Sequence, residues 1–206
     1  QRTYQQSPHK AHKKVLYIGD STVVGTGSSD PQFSTAGLLG ADYPEAQIIN
    51  KGKNGLKLEQ LSQKLNDLPE EEVYDLIIIH IGGNDVIRFT PLDIVQKELV
   101  KVLEKAQTKS DSIIILHGGN VGTSQLFPVG TRWLFTQRTQ QVRNIYINEA
   151  EQRQSVSYID LYREKNDDPF YANPRKYYAQ DLLHPSDEGY KDWYSYIKKS
   201  VEESDF

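Results

Sequence analysis

Residues Asp75–Asp85 read DLIIIHIGGND, and this stretch decides the fold. Its apolar run does not alternate with polar residues, so both faces of the strand must be covered, as in a parallel sheet. The glycine pair then stops the strand and leaves Asn84 and Asp85 at its carboxyl end. Four further runs share the pattern: Val15–Ile18, Gln47–Asn50, Ser112–Leu116 and Val156–Asp160. Each is short and rich in β-branched residues, and each stops at Gly, Asn, Asp or His.

Helical periods fill the gaps between the runs. Thr35–Tyr43 is short, and Leu56–Leu68 places Leu58, Leu61 and Leu65 on one face. In Pro91–Gln107, Leu92, Val95, Leu99, Val102 and Ala106 recur at three and four, with Pro91 near the first helical position. Trp133–Gln154 and Ser186–Glu203 also read as helices. The last has Ser186 as N-cap and Asp187 and Glu188 in its first turn, where carboxylates favour the helix dipole. Five strands alternating with five helices predict one α/β domain over residues 15–206, an open and mainly parallel sheet covered on both faces. Residues 1–14 are polar, with a basic cluster at His9–Lys14, and read as a tether or arm.

The chain has 206 residues, a net charge of −4 and no cysteine or methionine. That length suits a single domain. The absence of cysteine excludes disulfides, Cys-ligated metals and thiol nucleophiles. A mildly acidic, mixed surface argues against nucleic acid as a partner. Because the chain starts at Gln1 without Met, a removed upstream segment is expected, through which alone the protein would touch a membrane. That expectation favours a bacterial extracytoplasmic setting over the cytoplasm. Oligomeric state is left open.

Parallel sheets bind ligands at the carboxyl ends of their strands, which makes the residues just beyond each strand the ones to inspect. Ser21 follows the first strand. Taken alone, it reads first as a helix N-cap. Asp181 and His184 lie three positions apart near the other end, and one turn of backbone at that spacing brings both side chains to one side. The Asp can then fix the imidazole tautomer while the other ring nitrogen faces a hydroxyl. A serine nucleophile also needs oxyanion donors. The Asn84 amide, a backbone N–H from Gly52 or Gly55, and the Ser21 N–H are the candidates.

These blocks resemble the GDSL-like, or SGNH, hydrolase family, over nearly the whole domain. Gly19-Asp20-Ser21 resembles the family's first block, although Thr22 stands where many members have Leu. Asn50-Lys51-Gly52-Lys53-Asn54-Gly55 resembles the second, with Gly55 the better match to its oxyanion glycine. Gly82-Gly83-Asn84-Asp85 is similar to the third, and Asp181-Leu182-Leu183-His184-Pro185 to the fifth. The resemblance implies a flavodoxin-like three-layer αβα sandwich with strand order 2-1-3-4-5. It implies ester hydrolysis through an acyl-serine: Ser21 as nucleophile, His184 as base, Asp181 orienting it, and Ser21, Gly55 and Asn84 holding the oxyanion. No metal or organic cofactor is required.

Two other readings stand beside this one: a non-catalytic carbohydrate- or envelope-binding module on the same scaffold, and a metal-dependent phosphoesterase. His80, His117, Asp85 and His184 lack a recognisable metal-ligand spacing. His80 is expected to be buried and hydrogen-bonded, and His117 to be structural. Gly25-Thr26-Gly27 lacks the further glycine or lysine of a nucleotide loop. Specificity is expected from Gly118–Thr131 and Asp167–Gln180, with Phe127, Tyr171 and Tyr178, together with Arg88 and Phe89, as substrate contacts. A polar, aromatic pocket favours small acyl groups on a small-molecule, glycan or lipid ester.

Overall fold

A computed structural model describes residues 2–204 and 206. Five parallel strands form one sheet in the order β2-β1-β3-β4-β5: β1 Lys13–Gly19, β2 Ala46–Asn50, β3 Leu76–His80, β4 Ile113–Leu116 and β5 Val156–Ile159. This is the expected α/β sandwich. The central strands are buried on both faces, and their continuous apolar runs serve two cores at once. Leu16, Ile18, Ile77, Ile79, Ile113 and Ile115 face one core, with Leu61, Leu65, Leu99, Val102 and Val142 from the helices. Val15, Tyr17, Leu76, Ile78, Ile114 and Leu116 face the other, with Leu39, Trp193 and Ile197. Burying each such side chain contributes about 1.5–3 kcal/mol, so the same run stabilises both layers.

The helices, in chain order, are α1 Ser21–Val24, α2 Thr35–Asp42, α3 Leu58–Asn66, α4 Gly83–Ile87, α5 Leu92–Gln107, α6 Arg132–Glu151, α7 Pro169–Ala172, α8 Pro174–Tyr177 and α9 Asp187–Glu202. The five long ones fall where periodicity places them. Pro91 is the N-cap of α5, one residue before the position expected. Ser186 caps α9 by accepting the Gly189 N–H at 3.2 Å. The other four helices span only four or five residues, too few to produce a period, and three of them sit directly beside the crevice.

The amino-terminal segment is not the free arm that its composition predicts. β1 opens at Lys13, and further upstream Gln6 exchanges backbone hydrogen bonds with Ile48 at 3.1 and 2.9 Å. The Gln5 side chain donates to the Asn50 carbonyl at 2.7 Å and accepts from its N–H at 3.0 Å, as a backbone partner would. Gln1 lies outside the described residues. No described helix is long and apolar enough to cross a membrane.

Two histidines lie within the sheet's layers. His80 is fully buried against Trp193, at 5.3 Å between ring centroids. Neither of its ring nitrogens has a hydrogen-bond partner among the described residues, which corrects the expectation of a bonded histidine. His117 packs on the opposite face against Tyr146 and Tyr158. Burial pushes His80 down to about 3 and His117 down to about 4. Below about pH 6.5 the unfolded chain takes up protons that the folded chain refuses, so these groups remove stability as pH falls, by up to about 1.4 kcal/mol per pH unit each. In His80→Leu, the loss of melting temperature between about pH 6.5 and about pH 4 should be smaller than in the parent. Equal losses, followed by circular dichroism, would exclude His80 as a source of acid sensitivity.

Candidate active site

β1 runs into Gly19 and Asp20, and Asp20 caps α1 by accepting both the N–H and the hydroxyl of Thr22, at 2.9 and 2.8 Å. Ser21 is thus the first residue of a helix rather than its cap. A first-turn N–H has no acceptor inside its own helix, so the Ser21 amide is left for a ligand. Its hydroxyl oxygen lies 2.9 Å from His184 Nε2, and His184 Nδ1 lies 2.6 Å from Asp181 Oδ2. Two chain segments 163 positions apart therefore meet in one proton path.

Asp181 and His184 share a tight reversal rather than a helical turn. Asp181 Oδ1 accepts the N–H groups of Leu183 and His184, at 3.0 and 2.9 Å. The Ala179 N–H donates to the His184 carbonyl at 2.8 Å, closing the turn. Leu182, between them, has φ 59°, a left-handed conformation that costs a non-glycine residue about 1–2 kcal/mol. Its carbonyl accepts the Ser124 hydroxyl at 2.6 Å, which holds the strained peptide in place. Burial alone would raise the Asp181 carboxyl. The hydrogen bonds from His184 and from the two N–H groups outweigh it and hold the group below the usual carboxylate range.

Ser21, Gly55, Asn84 and His184 line one cavity of about 260 Å³. The Asn84 amide donates to the Leu56 carbonyl at 3.1 Å, which fixes its orientation and leaves its second N–H for the cavity. Asp85 accepts the Leu58 N–H at 3.1 Å and so ties the start of α3 to α4, fixing the loop that carries Gly55. A hydroxyl in contact with an imidazole that a carboxylate orients, in one cavity with backbone and amide N–H groups, is an arrangement suited to attack on an acyl carbon and to holding the resulting oxyanion.

The sequence-predicted substrate residues divide. Tyr178 lines the cavity, its hydroxyl 2.9 Å from that of Thr123. Arg88 stands at the rim, close to Gly55. Phe89 and Phe127 lie outside the cavity, Phe89 tilted against Phe135 at 5.5 Å between ring centres and Phe127 stacked on it at 3.9 Å. Tyr171 is also outside, with the Lys165 ammonium 4.4 Å from its ring centre. Thr123 and Asp168 fall within the two segments expected to set specificity but were not singled out, and Arg163 and Trp193 were missed; all four line the cavity. An N-cap signal at Asp168-Pro169 was present, but nothing local tied it to Ser21. Among the described residues, no group of three or more His, Asp or Glu side chains is placed to hold a metal ion.

Asp20 adds a charge that the motif reading assigned no role. It is fully buried, and burial pushes its carboxyl up to about 6, against the hydrogen bonds from Thr22 and the attraction of a protonated His184. An ionised Asp20 attracts the positive charge that His184 carries once it has taken up a proton. In Asp20→Asn that attraction is lost, and kcat on an aryl ester at about pH 8 should fall about tenfold with the melting temperature retained. An unchanged kcat would dissociate Asp20 from the reaction.

The GDSL-like lipase/acylhydrolase family model matches residues 17–191. A comparison with curated protein sequences gives no match. Among solved structures, a lipolytic protein of the G-D-S-L family from Veillonella parvula superposes with TM-score 0.71 at 19% identity, covering 90% of this chain and 96% of its own. TesA gives 0.69 at 18%, covering 93% and 99%. An acetylxylan esterase from Geobacillus stearothermophilus gives 0.62 at 21%, covering 93% and 95%. At such identities these likenesses speak to the fold, whereas the family match spans most of the chain and includes the strand ends described above. The chain therefore belongs to the GDSL-like lipase/acylhydrolase family and is, by that membership, an ester hydrolase.

Proposed function

We propose that the protein is a serine carboxylic-ester hydrolase that removes short acyl groups, acetyl foremost, through an acyl-serine intermediate. The observation that carries this reading is the continuous chain Ser21 Oγ, His184 Nε2, His184 Nδ1, Asp181 Oδ2, with spacings of 2.9 and 2.6 Å, opening onto the cavity that Gly55 and Asn84 line.

Ser21 Oγ attacks the acyl carbon while its proton passes to His184 Nε2. The carbonyl oxygen becomes an oxyanion held by the N–H groups of Ser21 and Gly55 and by the Asn84 amide. The intermediate collapses, the C–O bond to the alcohol breaks, and His184 returns its proton to the departing oxygen. Water then takes the alcohol's place, gives a proton to His184 and attacks the acyl-serine. Collapse releases the carboxylic acid and restores the Ser21 hydroxyl. Asp181 stays ionised throughout and keeps the Nδ1 proton of the imidazole on its own side.

The cavity favours a small acyl group because its far end is lined by polar and charged side chains. Asp168 is 96% buried there, and an alkyl chain entering that end would cover its carboxylate without offering the hydrogen bonds that water supplies, at a cost of about 1–3 kcal/mol. The acetylxylan esterase among the structural neighbours acts on an acetyl ester, which agrees with this size.

On an aryl acetate, Ser21→Ala should lose at least about a thousandfold in kcat, and Asn84→Ala about 100- to 1,000-fold, with the melting temperature retained. Mass spectrometry of the quenched parent enzyme should find the acetyl group on Ser21. Residual turnover in Ser21→Ala near the parent rate would overturn the covalent route.

A further inference from the structure

The cavity is longer than an acetyl ester needs. From Ser21 it passes over Gly118, Gly119 and Asn120, at the end of β4, and finishes between α7 and α9. A methyl group added at Gly119 would stand 3.2 Å from the Leu161 carbonyl and 3.8 Å from the Trp193 ring, so the glycine keeps this passage open.

The side chains at the far end form a distinct chemical set. Asp168 is 4% exposed, and its Oδ1 accepts the Phe170 N–H at 2.9 Å. Arg163 and the Thr123 hydroxyl are its polar neighbours. Arg163 donates through one nitrogen to Asp192 at 2.7 Å and has its guanidinium 5.0 Å from the Tyr196 ring centre. That leaves further N–H groups of the fork for a ligand. The rings of Phe170 and Trp193, 5.5 Å apart, supply the apolar wall. A carboxylate acceptor beside a guanidinium donor, against aromatic faces, matches neighbouring hydroxyl groups on a ring whose own faces are C–H. A bare hydrocarbon would cover both side chains without offering a hydrogen bond to either, and an ammonium group has no acceptor for the Arg163 N–H groups.

We propose that this end of the cavity is a subsite for the alcohol half of the ester, a sugar or similar polyol ring, with Asp168 accepting from one ring hydroxyl and Arg163 donating to its neighbour. The assignment rests on the ester-hydrolase reading above: once the acyl group is small, the alcohol is what remains to fill the passage. Asp168 is then a specificity-determining residue for the reaction.

A matched pair of substrates tests this: a mono-O-acetylated methyl pyranoside and cyclohexyl acetate, which carry the same acyl group on rings of the same size. The parent enzyme should favour the pyranoside by about 100-fold or more in kcat/KM, because a site built for hydroxyls discriminates against an analogue that lacks them. Asp168→Asn keeps the side-chain oxygen that caps α7, since Asn is as good an N-cap as Asp, but turns a donor toward the ligand where an acceptor stood. The preference should then fall at least about tenfold. Should that variant fold poorly by circular dichroism, Arg163→Lys keeps the charge opposite Asp192, removes the fork, and should lower the same ratio.

Three results would overturn the proposal. They are a parent enzyme that turns over both acetates equally, variants that lower both rates in the same proportion, and a preference for long acyl chains over acetyl. Each leaves the Ser21-dependent hydrolysis of an aryl acetate standing, whereas inertness toward every acetate overturns the ester-hydrolase reading together with the subsite.

Discussion

The Asp20 N–H donates to the His80 carbonyl at 3.1 Å, one rung beyond the paired ladder of β1 and β3, and the geometry of the site hangs from that bond. It is made at a point where the strands approach so closely that a side chain at Gly19 would overlap the His80 carbonyl. Gly19 meets this with φ 155°, a conformation that L side chains rarely adopt. Past that rung both chains turn immediately into short helices, α1 and α4, which carry Ser21 and Asn84. The distance between hydroxyl and amide is therefore set by two adjacent strands of a buried parallel sheet. A site built on such a scaffold holds its donors before the substrate arrives, which is the condition under which oxyanion stabilisation is largest.

Asp181 and His184 are mounted differently. They ride on the turn between α8 and α9, which is fastened to the loop after α1 by several polar contacts. The Tyr190 hydroxyl donates to the Thr26 carbonyl at 2.7 Å, and Asp187 accepts the Ser29 N–H and hydroxyl at 2.8 and 2.5 Å. Gly27, with φ 99°, sits so close to His184 and Pro185 that a side chain would collide with both. The Gly25-Thr26-Gly27 run, which looks at first like a fragment of a phosphate loop, thus lets the loop after α1 pass against the histidine.

Most of the fold was legible because burial on both faces leaves a mark in sequence. A strand that serves two cores must be apolar throughout, and Leu76–Ile79 shows it. The long helices showed themselves by period, whereas α1, α4, α7 and α8 are shorter than the period that would reveal them. Ser21, Asn84, Asp181 and His184 could be picked out because each stands beside small or polar neighbours at a strand end or chain reversal. Arg163 and Trp193 could not, since their relation to Ser21 exists only in three dimensions, across α9 and the segment after β5, and Asp168 was placed only as part of a segment. Aromatic density misled: Phe89 and Phe127 pack on Phe135 instead of entering the crevice.

The segment ahead of β1 misled too, since glutamines in a polar stretch read as solvent-facing. Its docking has a consequence for how the molecule keeps to itself. β2 is the outermost strand on its side, and an outermost strand offers unpaired amide and carbonyl groups to any other extended chain. Gln6 takes up both groups of Ile48, running antiparallel in an otherwise parallel sheet, and Gln5 does the same for Asn50 with a side chain. Peeled away, these residues would expose a template for edge-to-edge aggregation; in place, they make the protein its own gatekeeper.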